Sequence, residues 1–315
     1  MSLPRPGRSL PALSLTALIV VLGGCGGGGG GGNGDGSGGG VPTACSESAR
    51  KQFVLSAARE WYLFDDLLPA SVNTADFASA EALLDHLTAT ARQQGKDRFY
   101  SYLTTKSAEN SLLGEGQFVG FGFRNRTDPG NRPVVLDVFE QSPASDAAML
   151  RGDEIVAVDS GSGYVPVSQL LVNGTTFSDV LGPAEVGVRR GLRLLRNGVT
   201  RDVTLVKRTV TIDPVPDTYG TQVLPQAGTA GVGYLSLRSY ISTADPQLTT
   251  AFEQFRALGI RDYVIDLRYN GGGLLGVAEL LNNLLGGARA ASDVQYRLVH
   301  NVRKTAENET KLFSP

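Results

Sequence analysis

Apolar residues recur at helical spacing early in the folded part of this chain and at strand-like spacing further on. From Ser46 to Leu68, Phe53, Ala57, Trp61 and Phe64 fall at three- and four-residue steps, which predicts a helix with an aromatic packed stripe, stopped by Pro69. A second helix is predicted from about Ser79 to Gln93, with Leu83, Leu84, Leu87 and Ala91 on one face, and a short strand could start within Asp97 to Leu103. Val134 to Phe139 then reads as a strand, and Ser142 to Asp159 as a short helix, a tight turn and a buried strand. Asn197-Gly198, between Leu192–Arg196 and Val199–Val206, signals a hairpin. An apolar run ending in Leu267 predicts a buried strand, and Leu274 to Leu285 a helix. The expected fold is α+β and multidomain: a helical segment over 46–115, a small β domain over 116–209 and an α/β core over 210–315.

Residues 1–45 have a different character. Arg5 and Arg8 precede an apolar stretch from Ala12 to Leu22 and then Gly23-Gly24-Cys25. A basic start, a short apolar run and small residues before a cut site describe a secretory signal over 1–24, too short to span a membrane. Leu22-Gly-Gly-Cys25 resembles a bacterial lipobox, which implies cleavage before Cys25, a lipid on its sulfur and an anchor in the cell envelope facing the periplasm. By resemblance to known sorting patterns, Gly26 rather than aspartate after that cysteine leans toward the outer membrane. An ordinary signal with an incidental cysteine stays open. Residues 25–45 are a glycine-rich linker, broken between Gly26 and Gly40 only by Asn33, Asp35 and Ser37. As a flexible coil it would span about 20 Å on average.

Charge and residue counts remove some classes of function. With 29 basic and 31 acidic residues the net charge is −2, and no basic stripe marks a nucleic-acid partner. With Cys25 lipidated, Cys45 alone cannot form an internal disulfide. His86 and His300 stand without a second ligand at useful spacing, so no metal is expected. No cofactor is expected either, and nothing in the pattern encodes an oligomeric state.

Two glycine-rich stretches carry the candidate chemistry. Arg268-Tyr-Asn-Gly-Gly-Gly273 joins a strand to a helix start, which aims bare backbone N–H groups and the positive end of a helix dipole at one point. Such a point holds a phosphate, or the oxyanion formed when a carbonyl is attacked. Gly271-Gly-Gly-Leu-Leu-Gly276 also fits the dinucleotide pattern Gly-x-Gly-x-x-Gly, although Arg268-Tyr269-Asn270 separates the strand from the glycines. In Phe118-Val-Gly-Phe-Gly-Phe123, glycine alternates with aromatics, so amides at Phe121, Gly122 and Phe123 can face a ligand.

The region from Phe118 to Asp159 resembles a PDZ domain of the bacterial protease type. Gly120-Phe121-Gly122-Phe123 matches its carboxylate loop, and Ser142-Pro143-Ala144 through Gly152-Asp153 its second hallmark. The resemblance implies that a peptide adds as an edge strand while the amides capture its terminal carboxylate. Asp266-Leu-Arg-Tyr-Asn-Gly-Gly-Gly273 resembles the Asp-Leu-Arg-x-Asn-x-Gly-Gly signature of the carboxyl-terminal processing (tail-specific) serine peptidases. Gly231-Val-Gly-Tyr-Leu-Ser-Leu-Arg-Ser-Tyr240 is similar to the strand that opens their crotonase- or Clp-protease-like core.

That resemblance covers about residues 46 to 315. It implies that Gly271, Gly272 and Gly273 supply backbone amides of an oxyanion hole, with Gly271 standing where many relatives have proline. The family's serine nucleophile and lysine base lie further on, in a pattern not seen up to Pro315, and Ser236, Ser239 and Ser314 lack its surroundings. These residues are therefore expected to be a partial reading of a longer peptidase, inactive alone. A non-catalytic envelope scaffold binding protein tails is the alternative.

Overall fold

The computed structural model describes residues 46–314, together with the backbone of Ile19–Leu22, which runs parallel to Tyr102–Thr105. The rest of the expected signal peptide, Cys25 and the glycine linker lie outside the described residues. The fold is α+β. Among the described residues two compact units emerge, one of those up to 107 with 288–314 and the other of residues 108–287. Residues 288–314 group by contact with the first of these units.

In the first unit, helix Glu47–Trp61 starts where Ser46 Oγ accepts the Ala49 N–H at 3.2 Å, and helix Ala80–Gln93 where Ser79 Oγ accepts the Ala82 N–H at 3.1 Å. Val54, Leu55 and Ala58 pack on Ala80, Leu83, Leu84 and Leu87. This corrects the expected aromatic stripe: Phe53 is 43% and Trp61 38% exposed, because the second helix offers leucines that the aliphatic face meets. The first helix also ends at Trp61 rather than Leu68. Tyr62 is extended, with φ −63° and ψ 127°, and a 3-10 turn, Asp65–Leu67, follows.

The end of that helix is capped from far along the chain. Asn301 Nδ2 donates to the carbonyls of Glu60 at 2.9 Å and Tyr62 at 3.0 Å, and so satisfies groups that a helix end leaves orphaned. Beside it, the Lys304 ammonium lies 3.9 Å from the centre of the Trp61 ring, and His300 meets that ring edge-on. His86 is exposed, with its ring against Phe77.

The second unit begins with an antiparallel sheet. Phe123–Thr127, Pro133–Val138, Glu154–Asp159, Arg189–Arg196 and Val199–Val206 are neighbours in that order, and Tyr164–Pro166 pairs with Glu154–Asp159. Alternate residues Val135, Ile155, Leu192, Leu194 and Leu205 turn inward and form its core with Phe121, Met149 and Phe177. Asn197 at φ 50° and Gly198 at φ 80° make the tight turn expected of the hairpin, whose arms pair from Arg196↔Val199 to Arg189↔Val206.

The unit then continues into a three-stranded sheet of Thr221–Leu224, Val232–Ser236 and Asp262–Asp266. The last two strands are parallel and joined by helix Ala244–Ala257; helix Leu275–Leu285 follows. Phe252, Phe255, Leu248, Leu235, Val277 and Leu281 fill the space between sheet and helices. Strand Asp262–Asp266 is not the buried strand its apolar run predicts. It lies at the sheet edge, and Val264 and Leu267 are 45% and 41% exposed.

Candidate functional site

The glycine turn is held by one asparagine. Asn270 Oδ1 accepts the Gly272 N–H at 2.7 Å, and its Nδ2 donates to the Leu237 carbonyl at 2.9 Å, so a single side chain shapes the turn and ties it to the neighbouring strand's exit. The Tyr240 N–H donates to the Gly272 carbonyl at 2.9 Å, the Leu274 N–H to the Tyr240 carbonyl at 2.6 Å, and Ser239 Oγ to the Gly272 carbonyl at 3.2 Å. Gly272 and Gly273 sit at φ 92° and 137°, where side chains are strained. Gly271 is under neither constraint: its φ is not left-handed, and a Cβ there would meet nothing within 4 Å.

These bonds sort the three amides. The Gly272 N–H is already committed to Asn270, whereas those of Gly271 and Gly273 have no acceptor among the described residues. Helix Leu275–Leu285 begins just beyond with no side-chain cap, so its dipole adds positive charge at the same place.

An ionic network supports the turn from below. Arg238, just past strand Val232–Ser236, is buried against the buried Asp137: Nε donates to Oδ2 at 2.8 Å and Nη2 to Oδ1 at 3.1 Å. Its Nη1 also bonds Glu140, and the Tyr219 hydroxyl donates to Asp137 at 2.7 Å. Arg124 Nη1 reaches the carbonyls of Arg238, at 3.2 Å, and of Tyr269, which leads into the glycines. At the strand end, the Arg268 guanidinium brackets Asp266 and, with the Tyr234 hydroxyl at 2.6 Å, holds that carboxyl well below the usual range.

The second stretch opens into a groove of about 600 Å³, between the Gly120–Phe123 loop and helix Phe177–Leu181. Gly120 still pairs with Arg208, and Phe123 with Val138. Between them the carbonyls turn into the fold: that of Phe121 accepts the Ala144 N–H at 2.9 Å, and that of Gly122 accepts the Phe139 N–H at 2.9 Å and Ser142 Oγ at 3.1 Å. The N–H groups of Phe121 and Gly122 have no acceptor among the described residues. The Phe121 ring belongs to the core, so its backbone rather than its side chain faces the groove. Gly122, at φ 83°, admits no side chain, because a Cβ would lie 2.0 Å from that of Ser142.

Sequence reasoning passed over Lys207. It follows strand Val199–Val206 as one more basic residue, yet it is 6% exposed and lines the groove. Its Nζ donates to the carbonyls of Gly182 at 2.6 Å and Pro183 at 2.7 Å, and lies 5.1 Å from the centre of the Phe121 ring. The one local signal was a lysine directly after the predicted strand Val199–Val206. Elsewhere, no group of three or more His, Cys, Asp or Glu converges among the described residues, and no described helix is long and apolar enough to cross a membrane.

Comparison with known proteins finds similarity over parts of the chain. Residues 49–102 match the peptidase S41 N-terminal domain, and residues 231–312, which include the glycine turn, match peptidase family S41. The chain is similar to carboxyl-terminal-processing peptidase 3 of Arabidopsis thaliana chloroplasts, 26% identical over 221 residues, with 64% of this chain and 40% of that protein covered. It is 25% identical over 224 residues to the carboxy-terminal processing protease CtpA of Bacillus subtilis, covering 70% of this chain and 44% of that one. The chain thus spans less than half the length of these relatives. Among solved structures, an S41 protease from Bacteroides fragilis shares 21% identity at a TM-score of 0.47, covering 84% of this chain and 66% of that chain. The domain matches and the relatives agree: parts of the chain match peptidase family S41, and the chain is similar to carboxyl-terminal processing peptidases.

Proposed function

We propose that this protein is a serine endopeptidase that binds protein tails in a PDZ groove and cleaves them by acyl transfer. The observation that carries the binding half is the pair of amides, Phe121 and Gly122, that have no acceptor among the described residues, in a groove of about 600 Å³. An incoming strand ending in a carboxylate supplies the acceptors those donors lack.

The glycine turn is the oxyanion site in this reading. An oxyanion-hole donor is worth roughly 3–4 kcal/mol in the transition state when it is fixed beforehand. Gly273 best meets that condition, because its N–H is unused while its neighbours on both sides are tied to Asn270 and Tyr240. A Ser–Lys pair from outside these residues would do the covalent work, with lysine as general base. Lipid on Cys25 would hold the enzyme at the cell envelope, facing the periplasm, and the glycine linker would give it reach.

Tail binding is tested by titrating the chain with one labelled peptide as free acid and as carboxyl-terminal amide. Tighter binding of the acid, abolished in Gly122→Val, is the expected result; equal affinities would overturn it. The catalytic half is tested by incubating a tail-labelled protein with the protein expressed from its gene and locating cuts by mass spectrometry. Binding without cleavage there would favour a non-catalytic tail-binding scaffold.

A further inference from the structure

We infer that Lys207 is the counter-charge that makes the groove select ligands ending in a free carboxylate. This rests on the tail-binding reading above and adds to it the residue that sets charge selectivity.

Lys207 is a nearly buried cation that makes no ion pair among the described residues. Burying an ammonium is unfavourable unless an opposite charge compensates it, and the two carbonyls and the Phe121 ring that it meets carry no net charge. The charged groups around it do not supply the missing anion. Asp179, on the helix that walls the groove, is anionic but makes no ion pair with Lys207; its Oδ2 accepts instead from the Thr176 N–H at 2.8 Å and hydroxyl at 2.6 Å. Glu185 acts on Lys207 only through space, and Arg190 opposes it with a like charge.

Donor geometry points the same way. An ammonium has three N–H donors, and two of them go to Gly182 and Pro183. The third, with the N–H groups of Phe121 and Gly122, leaves three donors in one groove, while the carbonyls of Phe121 and Gly122 are already engaged. A carboxylate offers two oxygens with about four lone-pair sites and no donor, so it can accept all three. A terminal amide offers one oxygen and sets an NH₂ against donors. Free tails are therefore separated from amidated or internal segments by charge as well as by shape.

Lys207 could instead act only as a strap on the Gly182–Pro183 turn, and the test separates the two roles. A labelled peptide ending in Val-Ala-Ala, as free acid and as amide, is titrated into the full chain and into Lys207→Met and Lys207→Arg, with thermal unfolding as the folding control. The wild type should favour the acid by about ten- to a hundredfold, as expected for a hydrogen bond to a charged group. Lys207→Met should lose most of that preference while keeping its affinity for the amide, and Lys207→Arg should restore part of it.

The wild-type preference should also fade as pH rises through the lysine's titration. Burial moves that titration below the usual lysine range, and the methionine variant should show no such step. An acid preference that survives in Lys207→Met overturns the inference about Lys207 and leaves the groove reading standing. A wild type that binds neither peptide overturns both.

Discussion

The Cα of Gly273 lies so close to the carbonyl oxygen of Tyr240 that an added Cβ would sit 2.2 Å from it. Gly273→Ala must therefore shift the Tyr240 bridge and also hold an L-residue at φ 137°, a strain of about 1–3 kcal/mol. Urea unfolding should show at least that loss. Gly271→Ala, in open space, should stay within about 0.5 kcal/mol of wild type. Equal effects at the two positions would mean that Tyr240 does not hold the turn.

Arg238 and Asp137 form a buried bidentate pair, and removal of one partner strands the other charge. Asp137→Asn or Arg238→Met should each destabilise the second unit by about 3–5 kcal/mol. Arg238→Met combined with Asp137→Leu should recover part of that loss, because neither member of the pair is then left buried without the other. A double mutant with the full sum of the two single losses would contradict the pairing.

Asp153 predicts an acid limit on stability. Burial alone would raise its carboxyl pKa, but Arg196 and the Leu150 N–H at 2.9 Å outweigh it and hold the group below the usual range. A depressed folded-state pKa contributes stability that is complete above the unfolded value, about 3.9. That contribution is lost as pH falls from there through the folded pKa. Unfolding followed from pH 6 to pH 2 should show the decline in wild type and less of it in Asp153→Asn. Parallel curves would refute the assignment.

Asn197 holds the hairpin turn at φ 50°. Asn197→Ala should cost about 1–2 kcal/mol, since alanine has no local compensation for the left-handed region, while Asn197→Gly should be nearly neutral. Thermal unfolding of the two variants side by side distinguishes this from simple loss of a polar side chain.

What could be read in the sequence was local. Helix Ala80–Gln93 buries Leu83, Leu84, Leu87 and Ala91 as their spacing predicts, because four residues on one stripe leave little ambiguity of phase. The Asn197-Gly198 turn and the strand–glycine–helix order around Gly271–Gly273 were equally plain, since both rest on short-range backbone preferences. The first helix misled because its aromatics and aliphatics offer competing stripes, and only the partner leucines decide between them. Position in a sheet was hidden as well: apolar Tyr263–Leu267 reads the same at an edge as at a centre.

The candidate site was legible as glycines and illegible as support. Asn270 stands in a recognisable signature, but nothing in it says that its side chain takes up the Gly272 amide. Arg238 and Asp137 are 101 positions apart, and Lys207 meets Gly182 across 25, so neither contact has a local pattern.

Asn301 reaches the end of the first helix across 241 positions, and everything between 108 and 287 forms a unit of its own. On the ribosome the first helix therefore emerges long before the residue that completes it. The intervening unit is contiguous and free to fold in that interval, whereas the outer one must wait to close a very long loop. Assembly order is thereby written into the chain: the part that bears the groove and the glycine turn is finished first, and the part that brackets it is sealed last.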